Sequence, residues 1–260
     1  MKPIDFFNHM REIGTWVKWP HSIDGFITGD RESEVKGIAV VWQARTSALK
    51  KAVELGCNLI ITHEQAQYFE QQICEEGVQP QCQIEKFKFA EEHGLVILRN
   101  HDVWDRMPKV GIVDSWGEHL GLGEPTARGD VENVYASPAP TLHELAKYVL
   151  DKTRDLRQDS VEMVGDPNAK VTKVGIGCGA GTDYRKMAKL GADAVIGSDD
   201  GMHYWGDGSW ALDSGIPLVL VTHCVSEEPG MKNLAAYLRK LYPDVKVEYV
   251  LQGPLYSTVC

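Results

Sequence analysis

An α/β fold of two related halves, with mixed and mostly parallel sheets packed around a central metal cleft, is the architecture this sequence predicts. Three observations predict it. Short apolar runs end in residues that bind metals: Leu59-Ile60-Ile61-Thr62 before His63-Glu64, Leu95-Val96-Ile97-Leu98 before Arg99-Asn100-His101, and Leu218-Val219-Leu220-Val221 before Thr222-His223. These runs alternate with helical patterns, the signature of βαβ units with parallel strands. The second half also repeats the first: Lys50–Glu64 (KKAVELGCNLIITHE) aligns with Arg185–Asp199 (RKMAKLGADAVIGSD) at a constant offset, matching a helix, a Leu-Gly cap and a strand. The halves are expected at 1–130, with His63, Glu64, His101 and Asp105, and at 131–260, with His223 and Glu227.

Apolar residues at helical spacing predict a first helix from Ile4 to Trp19, ended by Pro20. Val35–Trp42 reads as a strand and Thr46–Leu55 as a helix closed by Gly56; Cys57–Thr62 is the next strand. Gln65–Glu76 and Ile84–Glu92 read as helices, and Gly94 caps the second before the strand Leu95–Leu98. Val113–Leu122 resumes as a helix, and Val131–Tyr135 is a strand of a peripheral layer. Thr141 and Glu144 form a capping box for a helix through Leu150. A boundary between halves is expected at Gly165–Asn168. Beyond it come the strand Val171–Gly177, a tight turn at Gly179–Gly181, the helix Thr182–Leu190 and the strand Ala192–Ile196. Glu228–Leu241 closes as a helix with Ser226 as N-cap and Pro229 in its first turn, followed by a terminal strand, Val245–Leu251.

The 260 residues are 43% hydrophobic and 25% charged, enough apolar content for a real core. The net charge of −10 argues against nucleic acid and anionic membrane as partners and leaves a small-molecule substrate. Six cysteines form no CxxC pair, no apolar run reaches membrane-span length, and no signal peptide follows Met1–Asp5. A cytoplasmic protein with reduced thiols is the expectation.

His63, Glu64, His101, Asp105, His223 and Glu227 supply three imidazoles and three carboxylates. That is enough for two divalent ions with positions left for water, and the donor types suit Mn, Fe or Zn. Each residue also has a bland reading. His63-Glu64 can be a polar strand cap, Asp102 and Asp105 a helix start, and His223 a partner of the helix entrance. The recurrence of His-x-x-x-(Asp/Glu) after an apolar strand in both halves favours the metal. Gly175, Gly177, Gly179 and Gly181 fit neither nucleotide-loop spacing and point to a close backbone approach. His203 is the candidate acid or substrate ligand, and Trp104 and Trp205 the candidate stacking surfaces. Cys224 beside His223 is read as no nucleophile, since neighbours on a strand face opposite ways.

In order along the chain, VKGIAVV, the LGCNLIITH run, His101-x-x-x-Asp105, Asp114–Leu122, Val174–Gly181 and His223-Cys224-Val225-Ser226-Glu227 resemble the Nif-three-like family of dinuclear-metal proteins, often labelled GTP cyclohydrolase type two. The resemblance covers essentially the whole chain. It implies His63, Glu64, Asp105, His223 and Glu227 as metal ligands, with His101 binding metal or supporting a ligand, and a toroidal homohexamer. Relatives usually have two histidines where this chain has His63-Glu64. Glu64 then either tilts metal preference to harder cations or turns away and serves as a general base. The expected function is a metal-dependent hydrolase acting on a small heterocyclic or nucleotide-like substrate through a metal-bridged hydroxide, with Glu64 and His203 as catalytic groups. The rival is a non-catalytic metal-binding or interaction protein.

Overall fold

A computed structural model describes residues 1–68, 80–177 and 179–259. The helices that matter here are α1 (Pro3–Ile13), α2 (Thr46–Glu54), α3 (Gln81–Glu92), α4 (Asp102–Asp105), α5 (Ile112–His119), α6 (Leu142–Thr153), α7 (Tyr184–Lys189), α8 (Ser209–Ser214) and α9 (His223–Leu241). The strands are β1 (Gly25–Thr28), β2 (Ile38–Gln43), β3 (Leu59–Glu64), β4 (Val96–Arg99), β5 (Ala127–Arg128), β6 (Glu132–Ala136), β7 (Glu162–Val164), β8 (Lys173–Gly177), β9 (Ala194–Ser198), β10 (Leu218–Val221) and β11 (Val247–Val250). No helix among the described residues is long and apolar enough to cross a membrane.

Two mixed sheets form. The first has the order β1-β4-β3-β2-β11, with β4, β3, β2 and β11 parallel and β1 antiparallel at the edge. The second has the order β5-β6-β8-β9-β10-β7, with β8, β9 and β10 parallel and the flanking pairings antiparallel. The repeat seen in the sequence is a repeat of topology. The triplets β2-β3-β4 and β8-β9-β10 run in the same order, and an antiparallel strand that precedes each triplet in the chain, β1 or β7, flanks its last member.

The chain divides into two compact units, Met1–Trp104 with Met231–Gln252, and Asp105–Gly230 with Gly253–Cys260. This differs from a division at 130/131, because β11 pairs with β2 and returns the chain's end to the first sheet. Gly165–Asn168 accordingly lies inside the second unit. β6 is an integral member of the second sheet rather than a peripheral layer.

In the first unit Ala39, Val41, Ile60 and Ile97 pack against Ala48, Leu49 and Ala52 of α2. Leu59, Ile60 and Ile61 are fully buried, each contributing about 1.5–3 kcal/mol by leaving water. In the second unit Val134, Val195, Leu218 and Leu220 pack against Tyr184, Met187 and Ala211.

Several element boundaries move, each for a physical reason. α1 stops at Ile13, not Trp19: Gly14 is pressed against Val103, where a side chain would meet the valine methyl at 2.8 Å. β3 runs on through His63 and Glu64, so both belong to the strand itself. Gln65–Tyr68 is not helical, and the rest of the helix expected up to Glu76 falls outside the described residues. α9 begins at His223 rather than Glu228, which puts Pro229 inside the helix and Ser226 within its first turn, donating to the His223 carbonyl (2.7 Å).

The segment leaving β3 is held by Lys86 of α3, which is fully buried, donates to the Ala66 carbonyl and sits 3.8 Å from the Tyr68 ring centre. Burial pulls the Lys86 ammonium down to about 8. The unfolded chain, at the usual 10.5, binds more protons between these values, so this lysine's penalty on folding is full below pH 8 and fades as pH rises to 10.5. Lys86→Met should therefore raise the urea midpoint at pH 7, and its advantage should shrink over pH 8–10.5; an advantage that is constant with pH would contradict a buried cation.

Candidate metal centre

In the first unit the strand ends of β3 and β4 bring together His63, Glu64 and His101, whose ligand atoms lie within 4.8 Å of one another. His63 is fully buried, and its ring stacks on His101 with centroids 4.4 Å apart and planes 12° apart. The His63 Nδ1–H donates to the Asn100 carbonyl (3.3 Å), and the His101 Nδ1–H to Asp102 Oδ1 (3.2 Å). That hydrogen bond, opposed by burial, pushes the Asp102 carboxyl down to about 2. In both rings Nε2 is then the nitrogen left to ligate; in His101 it stands 3.8 Å from Glu64 Oε1.

Glu64 does not turn away from the histidines. Its other oxygen takes Arg99 Nη2 at 3.0 Å, while Arg99 Nε donates to the His63 carbonyl (3.0 Å). The extra negative charge expected from a glutamate at this position is therefore offset by a guanidinium on the neighbouring strand.

His101 owes its position to Asp24, at the turn before β1. The Asp24 carboxylate accepts the backbone N–H groups of His101, Asp102 and Val103, the last two at 3.0 Å, and so caps α4. Burial pushes the Asp24 carboxyl up, against the pull of these donors. Asp105 closes α4 with its carboxyl buried. The helix-start reading thus holds for Asp102, whereas Asp105 stands at the other end of α4.

In the second unit His223 and Glu227 are not strand-end residues. They stand four apart in α9, on one helical face, with His223 Nε2 3.1 Å from Glu227 Oε1. The His223 Nδ1–H donates to Asp200 Oδ2 (2.9 Å) and its backbone N–H to Asp199 Oδ1 (2.8 Å). Ser198-Asp199, the counterparts of His63-Glu64 in the repeat, have become supports: Ser198 Oγ donates to the Gly179 carbonyl (2.9 Å). Gly179, at φ +50°, lies against the His223–Glu227 pair, where a Cβ would collide with His223 Nε2 and Glu227 Oε1. The close approach expected of the glycine-rich turn is real, and what it approaches is this pair. Gly175 and Gly177 instead make room for Met187 of α7. A cavity of about 470 Å³ opens beside Asp199, Thr222 and Tyr256, whose phenol is pushed up by the Asp199 charge. A larger concavity, about 780 Å³, lies by Gly29, Phe87 and Leu95 at the opposite edge of the first sheet from His63.

The other expected site residues differ in exposure. His203 has a side chain 86% exposed and binds Asp207 (3.3 Å). Trp104 is 0% exposed, packed on Tyr237, so it cannot stack on a substrate. Trp205 is 82% exposed. Cys224 is buried and donates to the Gly253 carbonyl (3.1 Å), consistent with its reading as no nucleophile. Asp24, Arg99, Asp199 and Asp200 carry support roles that no motif announced.

The donors fit a divalent ion. Three imidazoles have Nδ1 committed to an oxygen acceptor, the arrangement that orients metal-bound histidine, and Gly179 leaves a hollow against two of the candidate ligands.

The family model described as Duf34/NIF3 (NGG1p interacting factor 3) matches residues 4–253. A Clostridium perfringens protein, GTP cyclohydrolase 1 type 2 homolog, is 24% identical over 264 residues, 96% of each chain. Among solved structures, a hypothetical protein of Staphylococcus aureus, SA1388, is similar with a TM-score of 0.82 at 18% identity, covering 100% of this chain and 99% of that one. A Bacillus cereus protein related to NIF3 gives 0.81 at 15%, with the same coverage. Reduced HcgD from Methanocaldococcus jannaschii gives 0.70 at 18%, covering 96% of each.

Gly179→Ala should lose about 2 kcal/mol or more in urea unfolding, through overpacking and the left-handed backbone. Gly181→Ala, whose Cβ meets nothing within 4 Å, should be close to neutral. Equal effects would mean that the contact with His223 and Glu227 is not tight.

Proposed function

The chain belongs to the Duf34/NIF3 family, and from that premise we propose that it is a metal-dependent hydrolase. The reading rests on one observation above others: His63, His101 and His223 each hold Nδ1 against a fixed oxygen, the orientation that turns Nε2 toward a metal, and His101 and His223 turn it toward a carboxylate that would share the ion. In this reading His63, Glu64 and His101 of the first unit and Asp105, His223 and Glu227 of the second would hold divalent ions, two in all, Mn, Fe or Zn. Such ions supply Lewis acidity and lower the pKa of water. The chain's own groups do the rest. Arg99 orients Glu64, either as ligand or as the proton acceptor. Asp102 and Asp200, both accepting from histidine, fix which ring nitrogen carries a proton. His203, steadied by Asp207, is put forward as the proton donor.

The substrate we put forward is a small heterocyclic or nucleotide-like molecule, the class named for the Clostridium perfringens relative. Burial of Trp104 withdraws one of the two side chains that suggested it. A homohexamer belongs to the same proposal, and light scattering of the purified chain measures it.

A second reading is a metal-binding protein without turnover. It is favoured by the Arg99–Glu64 pair, which occupies one oxygen of the candidate base, and by the interaction role in the family's description.

Protein purified without chelator should carry two divalent ions per chain by elemental analysis. Asp200→Ala, which alters only the support of His223 Nδ1, should weaken metal affinity about 10–100-fold. On a panel of amide, phosphoester and ring C–N substrates with Mn, Fe or Zn supplied, the wild type should turn over at least one and Asp105→Ala none. Bound metal with no turnover anywhere on the panel would leave the second reading standing.

A further inference from the structure

Arg45 sits just past the end of β2, as the residue before α2. Its Nε and Nη2 are sealed from solvent and have no hydrogen-bond partner among the described residues. Its guanidinium carbon lies 5.6 Å from the centre of the Trp42 ring. An arginine cannot shed its charge at any accessible pH, so two buried N–H donors without acceptors are a standing penalty on the folded chain. No carboxylate among the described residues relieves it.

The two orphaned atoms are not an arbitrary pair. Nε and Nη2 form one edge of the guanidinium, the fork that takes two oxygens of a carboxylate or phosphate side by side. The adjoining first turn of α2 has no side-chain cap and no acidic residue, so nothing there competes with an incoming anion.

Position connects this fork to the histidines. Val41 pairs with Thr62 and Gln43 with Glu64, so Trp42 stands opposite His63 on the neighbouring parallel strand. Alternation along a strand puts Trp42 and His63 on the same face of the sheet. Arg45, lying over Trp42, is therefore at the same carboxyl-terminal edge as His63, Glu64 and His101, where ligands of open α/β sheets collect.

We propose that Arg45, whose side chain is only part-buried as a whole, turns this edge outward to dock a two-oxygen anionic group, phosphate or carboxylate, of the molecule processed at the histidine cluster. The inference rests on the hydrolase reading for what that molecule undergoes, but not for the existence of the anion site. It gives the acidic chain, with its net charge of −10, a local point of attraction for an anionic substrate.

The test is calorimetric titration of the full chain, freed of metal by chelation, with inorganic phosphate and separately with acetate at 0.15 M NaCl. Wild type should bind one of them saturably at one site per chain, and the tighter of the two names the group. Arg45→Met should weaken that binding about 10-fold or more. Arg45→Lys, which keeps the charge but loses the fork, should fall between. Arg154→Ala, which removes an exposed arginine paired with Asp151, should bind as wild type. If Arg45→Met proves unfolded by circular dichroism, the Arg45→Lys comparison decides: unchanged affinity overturns the proposal. Absence of binding by wild type, or wild-type affinity in Arg45→Met, overturns it as well. Metal-free binding that depends on Arg45, in a protein with no turnover on any substrate, would sink the hydrolase reading and leave the anion site intact.

Discussion

An imidazole can serve a metal in only one orientation at a time, and the constraint on which this structure depends is the fixing of three such rings through Nδ1. Each ring finds a different acceptor. His63 uses the Asn100 carbonyl just past the adjacent strand, His101 uses the carboxylate of its own neighbour Asp102, and His223 uses Asp200 from the loop after β9. The local structure around each ring serves this purpose: the register of β3 and β4, the cap on α4, and the entry of β10 into α9.

Charge is handled just as locally. The first-unit cluster contains one carboxylate among its three members, and Arg99 lies against it. In the second unit His223 is flanked by Asp200 and Glu227 on its two nitrogens. A doubly protonated ring could donate to both, whereas a ring that held a cation would keep Asp200 as its orienting acceptor and leave Glu227 beside the ion.

Much of this could be read from the residues. The alternation of apolar runs with Leu-Gly caps pointed to parallel strands, and the match of Lys50–Glu64 to Arg185–Asp199 anticipated that a helix, cap and strand of the first sheet recur in the second. The six candidate ligands came from spacing and from the family resemblance. What sequence hid was the secondary structure under the motif: His223-x-x-x-Glu227 looked like a strand exit, because Pro229 argues against a helix running through it. Asp24 was unreadable for another reason. It lies 77 positions from His101, and a turn aspartate gives no local sign of the distant amides it will accept. The stacking role of Trp104 failed because an aromatic next to a polar motif has the same composition whether it faces solvent or Tyr237.

The Asp24 cap also bears on the order of events as the chain folds. The amides of His101, Asp102 and Val103 reach their acceptor only after β1 has docked antiparallel on β4, a pairing of residues distant in sequence. Contacts of that span form slowly, since a long loop must close before they give any return. An ion arriving early would meet His101 still unoriented. The orientation of His101 is thus a late product of folding rather than its nucleus.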